Sequence, residues 1–231
     1  MNIKIVKDAK LATGLAVVID VFRAFTVEPY LISNGAKKLI PVGDKQIAYD
    51  YKKKDNSCIL IGERNGIILP GFDYGNSPSQ IENIDFTEKI IIHTTSCGTQ
   101  GIVNSINAKE IITGSLVNAQ AIVRYIIKNK IDEISLITLC RPGEFPADED
   151  ILCAKYIKSM LEKNPLNNLK EEIEKLKITS GSKFFNKLNQ KDFPERDFYL
   201  CTEINKFDFV LKVKKDLRGN LYIEKIIWKW V

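Results

Sequence analysis

The 231-residue chain is 45% hydrophobic and 27% charged, enough apolar material for a buried globular core. No apolar run approaches the roughly 20 residues that a bilayer-spanning helix needs, and Met1 to Lys10 lacks the apolar stretch of a signal peptide. These features set the expectation of a cytoplasmic protein without membrane-spanning helices. The net charge of +5 is weighted to the C-terminal part, where 15 Lys+Arg stand against 11 Asp+Glu from residue 161 onward. That surplus is too mild for the clustered basic stripe of a nucleic-acid binder. The five cysteines (58, 97, 140, 153 and 201) form no C-x-x-C pair, and His93 is the single histidine. Reduced thiols and no zinc site are expected.

In chain order, Leu15 to Asp20 reads as a short buried strand, apolar and β-branched. A helix from Ala24 to Gly35 follows, with a late start or a kink expected at Pro29. Lys38 to Val42 is a strand, Asp44 caps a helix to about Lys54, and Cys58 to Gly62 is a third strand. Asn65 to Pro78, with three glycines and two prolines, reads as an ordered loop. Lys89 to His93 is a strand, followed by a Thr/Ser/Gly turn and a helix from about Gly98 to Asn107. Glu110 to Thr113 is a short strand, and Ser115 caps a helix from Val117 to Asn129. Ile134 to Cys140 and Asp150 to Leu161 complete the series as strand and helix. Residues 162–175 read as a surface connection or an exposed helix. Phe198 to Trp230 alternates enough for two or three strands, with Arg218-Gly219-Asn220 as a turn. Repeated strand–loop–helix units predict one α/β domain over 1–231, its largely parallel or mixed sheet covered by helices on both faces.

In such sheets ligands bind beyond the carboxyl ends of the strands. The residues there are Asp20-Val-Phe-Arg23, Gly62-Glu-Arg64, Thr94 to Thr99, Arg141-Pro-Gly143 and Glu149-Asp150. Carboxylates suit a hard cation such as Mg²⁺, whereas arginines, hydroxyls and helix starts hold oxyanions. Local sequence leaves the roles open. Asp20 caps a helix as readily as it binds metal, Asp73 and Asn76 serve equally as turn residues, and Glu149-Asp150 also suits a helix start. His93 at a strand end reads first as a structural histidine. Two phosphatase signatures fail. The residues between Cys58 and Arg64 form a strand rather than an anion-binding loop, and Phe22 stands where a haloacid-dehalogenase enzyme needs its second Asp.

The segments Val17-Val-Ile-Asp-Val-Phe-Arg-Ala24, Asn34-Gly-Ala36, Ile40-Pro-Val42, Gly62-Glu-Arg64, Pro70-Gly-Phe-Asp-Tyr-Gly-Asn-Ser-Pro78, Thr94-Thr-Ser-Cys-Gly-Thr99, Gly114-Ser-Leu-Val-Asn-Ala119 and Glu149-Asp150 with Cys153-Ala154 occur in order. Together they resemble the 2-phosphosulfolactate phosphatase family of coenzyme M biosynthesis, over about residues 14 to 160. The resemblance implies a three-layer α/β/α fold and Mg²⁺-dependent hydrolysis of a small phosphoester that is sulfonated or carboxylated. By that resemblance, Asp20, Glu63, Asp73 and Asp150 are candidates to hold metal or position water, and with Arg23 form the expected catalytic set. Arg64, Asn76, Ser77, Thr94, Thr95, Cys97, Gly98 and Thr99 are the expected substrate-binding set. Cys97 departs from the family pattern, which has Asn before Gly-Thr, and the Cys140–Glu149 loop departs from its Gly-rich form. A non-catalytic protein that keeps the pocket and binds an anionic metabolite is the competing expectation. A homodimer is expected from size and class.

Overall fold

The computed structural model describes residues 1–139 and 147–227. Its strands and helices, in chain order, are β1 (Asn2–Val6), β2 (Leu15–Ile19), α1 (Ala24–Ser33), β3 (Lys38–Pro41), α2 (Lys45–Lys54), β4 (Ile59–Arg64), β5 (Ile67–Ile68), α3 (Pro78–Ile81), β6 (Ile90–Thr94), α4 (Gly98–Asn104) and β7 (Glu110–Gly114). There follow α5 (Ala119–Lys128), β8 (Glu133–Thr138), α6 (Asp148–Leu161), α7 (Leu169–Leu176), α8 (Ser182–Phe185), α9 (Glu195–Thr202), β9 (Val210–Lys215) and β10 (Leu221–Ile226).

The strands form one mixed sheet in the order β1-β8-β2-β7-β9-β10-β3-β6-β4-β5. β1, β8, β2 and β7 are parallel to one another, as are β3, β6 and β4. The β9–β10 hairpin lies between these blocks and pairs antiparallel with β7 on one side and β3 on the other. Three antiparallel steps in succession reverse the second block relative to the first. Sheet twist of roughly 20–25° per step then turns the blocks by more than a right angle over the five steps from β2 to β6. This is how the carboxyl end of β2 comes to face those of β4 and β6.

β2 is buried along its whole length because both its edges are paired and both its faces are covered. Leu15, Val17 and Ile19 join Ile122 and Ile126 of α5 and Cys153 and Ile157 of α6. On the opposite face Ala16 and Val18 join Phe25 and Leu31 of α1, and Leu39, Ile61 and Ile91 of the second block close over the same helix. Ile40, Leu60 and Ile92 face outward onto Ala48 of α2. The result is a three-layer α/β/α fold with α1 held between the two blocks.

Several boundaries differ from the sequence expectation. α1 begins at Ala24 without delay and runs through Pro29. β1 was hidden because it is a sheet-edge strand with only Ile3 and Val6 partly buried. Within the Gly/Pro segment, Ile67 and Ile68 turn back onto β4, and Pro78 occupies the first position of α3, where its missing N–H costs nothing. Residues 162–175 include the start of α7, whose Leu169, Ile173 and Leu176 share a buried face at helical spacing. The stretch from Glu195 to Thr202 is helical rather than extended, since Asp197, Phe198 and Cys201 fall on one buried face. Asp44 caps α2 as expected, accepting the Gln46 N–H at 2.8 Å. The expectations for Cys140, Arg141 to Gly143, residues 140–146 of the Cys140–Glu149 loop and Trp230 lie outside the described residues.

Candidate active site

Asp20 leaves the end of β2 and accepts the Ala24 N–H at 3.1 Å, so it does cap α1. Its second oxygen lies against Gly98: a Cβ there would stand 2.9 Å from Asp20 Oδ2 and 2.8 Å from Ala24 Cβ. Only glycine lets the start of α4 approach so closely. Asp150, in the first turn of α6, accepts the Val21 N–H at 2.8 Å, and Glu149 precedes it. Glu63, at the end of β4, accepts the Ser96 N–H at 2.6 Å, the Ser96 hydroxyl at 2.9 Å and the Gly66 N–H at 2.6 Å. It thereby ties the β4–β5 turn to the loop after β6.

These side chains line a cleft of about 370 Å³ with Phe22, Arg23, Asn65, Gly66, Asn76, Ser96, Cys97, Leu139, Ala147, Lys183 and Phe193. Arg23 is buried beneath it. Its guanidinium donates to Asp197 Oδ2 at 2.8 Å, to the Asp192 carbonyl at 2.8 Å and to the Gly66 carbonyl at 3.1 Å. Asp197 also accepts from the Ser77 hydroxyl at 2.8 Å and the Ser79 N–H at 2.9 Å. A single buried ion pair therefore joins α1, α3 and α9 under the cleft floor. Gly66 has φ +82°, and a Cβ there would meet the Phe193 ring at 2.2 Å. The Lys183 ammonium rests among the rings of Phe22, Phe184 and Phe193, 5.8, 5.4 and 5.6 Å from their centroids.

Removal from water pushes the Asp20 carboxyl up to about 7, and the nearby Glu63 and Glu149 add repulsion against the pull of the Ala24 N–H. Burial likewise raises Asp150, with Glu149 and Asp20 adding to it, and raises Glu149, where Lys183 opposes the shift. Glu149 Oε2 is buried with no hydrogen-bond partner among the described residues. Crowded acids and an orphaned carboxylate oxygen are the signature of a place that a cation would relieve. Among the described residues no group of three or more His, Cys, Asp or Glu is arranged to ligate one metal ion. The residues nevertheless fit Mg²⁺, which commonly takes one or two carboxylates and fills its remaining positions with water and substrate phosphate.

Of the residues expected from sequence, the fold brings Asp20, Arg23, Glu63, Asn76, Cys97 and Asp150 to the cleft lining and Gly98 against Asp20. Asp73 is not among them. It is exposed and fastens its loop to the start of β4, accepting the Leu60 N–H at 2.7 Å and pairing with Lys52 at 3.2 Å. Arg64 lies beside the cleft and donates to Thr94 Oγ1 at 2.9 Å and to the Glu63 and Gly43 carbonyls. Ser77 spends its hydroxyl on Asp197, and Thr95 and Thr99 bond reciprocally, each N–H to the other's hydroxyl, at 3.0 and 3.1 Å. They shape the loops rather than line the cavity. Missed from the expected set were Glu149, Ser96, Lys183 and Phe193. The last two come from the polar C-terminal stretch, outside the segments that carry the family resemblance.

A family model described as 2-phosphosulpholactate phosphatase matches residues 3–216. The chain belongs to that family. It is 32% identical over 201 residues to a protein of Bacillus subtilis named probable 2-phosphosulfolactate phosphatase, a match covering 87% of each chain. A Caldicellulosiruptor saccharolyticus protein of the same name is 35% identical, with 96% of each chain covered. A Thermoplasma volcanium protein so named is 38% identical over 65% of this chain and 69% of its own. The 2-phosphosulfolactate phosphatase family is one of phosphoric monoester hydrolases, so this chain is a member of an enzyme family whose chemistry suits a cleft of acids and cations. Among the described residues no helix is long and apolar enough to cross a membrane.

Proposed function

We propose that this chain is a Mg²⁺-dependent phosphatase that hydrolyses 2-phosphosulfolactate, or a closely related small anionic phosphoester, to the alcohol and phosphate. The observation that carries the reading is the cleft in which Asp20, Glu149 and Asp150 crowd together opposite Lys183. One or two of Asp20, Glu149 and Asp150 would hold the cation, with water and substrate phosphate filling its other positions. When bound, Mg²⁺ would supply Lewis-acid stabilisation to the phosphoryl oxygens. Lys183 supplies positive charge for the substrate's second anionic group, a sulfonate or carboxylate. Phe22 and Phe193 present apolar surface that limits water around the short carbon chain. Glu63 and Arg23 act from beneath, keeping the Gly66 turn and the Ser96 loop at fixed separation.

The test is phosphate release from racemic 2-phosphosulfolactate, with Mg²⁺ and with excess chelator, beside phosphoglycolate and phospholactate. Rapid release that chelator abolishes is expected. Release from another ester alone would keep the chemistry and replace the substrate. Thermal stabilisation by these compounds without turnover would instead favour a binding protein.

A further inference from the structure

A chain of polar side chains crosses the core between the two strand blocks. Glu28 of α1 and His93 of β6 are fully buried there, among the apolar side chains that close over α1. His93 Nδ1 lies 3.2 Å from Glu28 Oε1, and His93 Nε2 lies 3.3 Å from Asn76 Oδ1. The Thr113 hydroxyl donates to Glu28 Oε2 at 3.0 Å. Asn76 in turn lines the cleft. Burying a carboxyl and an imidazole in an apolar core costs free energy that side chains chosen for packing alone would avoid. The cost is offset only if the chain of hydrogen bonds is complete.

The chemistry of each contact fixes the direction of the next. With Asn76 Oδ1 facing the ring, the contact is a hydrogen bond only when Nε2 carries the proton, since an amide oxygen can only accept. That holds whether Nδ1 donates to a Glu28 carboxylate or accepts from a Glu28 carboxyl. With Oδ1 turned inward to His93, the NH₂ is the end of the amide left to serve the cleft that Asn76 lines. A flipped amide would present an oxygen to an anion and repel it.

We infer that Glu28 and His93 are positioning residues that hold the Asn76 amide with its NH₂ aimed at the substrate's phosphate. The inference deepens the phosphatase reading and rests on its anion-binding cleft. His93 gains its role through Asn76, not through contact with substrate. The same arrangement couples α1, β6 and the loop before α3 to a single donor, so a bound phosphate is felt by a ring that sits wholly inside the core.

Because His93 is the sole histidine, ¹⁵N-histidine labelling gives a spectrum of one ring. With orthophosphate as the probe, Nε2 is expected to be protonated in the free protein and to shift when phosphate saturates the cleft. Asn76→Ala, which also assigns the Nε2 signal, is expected to abolish that shift. An unprotonated Nε2, or one unmoved by saturating phosphate, overturns the inference. In turnover, His93→Leu is expected to raise KM about tenfold while kcat changes little, the cost of one misdirected hydrogen bond to an anion. His93→Gln, whose amide can still donate to Asn76, is expected to restore most of the loss. Equal KM values in both variants, at whatever thermal stability, also overturn it. Turnover by the wild type alongside an unprotonated Nε2 would remove the relay and leave the phosphatase. A responsive Nε2 without turnover would do the reverse.

Discussion

Asp20 sets the acid–base character of the cleft. In the folded chain it keeps its proton to about pH 7, whereas the ordinary carboxyl releases it near 3.8. Between those values the folded state binds more protons than the unfolded one, so stability falls as pH rises through that window. Glu149 and Asp150, also raised, act in the same direction. With chelator present, the thermal midpoint is expected to fall from pH 5 to pH 8, and Mg²⁺ to restore it more at pH 8 than at pH 5. Calorimetry at the two pH values checks this. Asp20→Asn removes the burdened charge. It is expected to raise the chelated midpoint at pH 8, to blunt the Mg²⁺ response and to lower kcat at least a hundredfold. A midpoint that does not depend on pH would show that the acids are not strained. Lys183→Met should act differently, raising KM for a doubly anionic ester about tenfold while sparing a substrate that lacks the second anionic group. Steady-state kinetics on the paired esters separate the two.

At the scale of elements, the Arg23–Asp197 pair joins the helix after β2 to α9, far apart in the chain. Both partners are buried at 2.8 Å. Removing one leaves the other charged and unpaired, a cost of roughly 3–5 kcal/mol. Asp197→Ala is expected to lower the thermal midpoint by about 10 °C and to release Ser77 and the Gly66 turn, reducing activity as well. An unchanged melting curve would show that the pair is dispensable. This pair also marks where sequence reading runs out. The strand ends carrying Asp20, Glu63 and Thr94 were legible because buried parallel strands are apolar runs with abrupt polar ends. Glu149 was visible but indistinguishable from a helix-start acid. Lys183, Phe193 and Asp197 sit in a polar C-terminal stretch and gain meaning only from what they touch. Asp73 erred the other way. It stands in the Pro70–Pro78 stretch of the family resemblance, yet its carboxylate serves Leu60 and Lys52 rather than the cleft.

For the molecule as a whole, the β9–β10 hairpin supplies the hydrogen bonds between the two strand blocks. Val213 and Ile223 enter the core that encloses α1. A chain cut after residue 206 would leave β7 and β3 with open edges and that core with one side missing. It is expected to lack a cooperative unfolding transition and to be cleaved rapidly by protease, whereas the full chain is expected to melt in one step. Cooperative melting of the shortened chain would mean that the blocks fold without their bridge.

The strands at the middle of the sheet are thus the ones that follow all the others in the sequence. During synthesis both blocks emerge before the piece that hydrogen-bonds them together, and until it arrives Asp20 and Glu63 are linked only through the packing around α1. The nascent chain holds two unsealed sheet edges for as long as the ribosome takes to reach the hairpin. Such a protein would gain its chemistry in one late event, and a chaperone that shields strand edges would matter most to it in that interval.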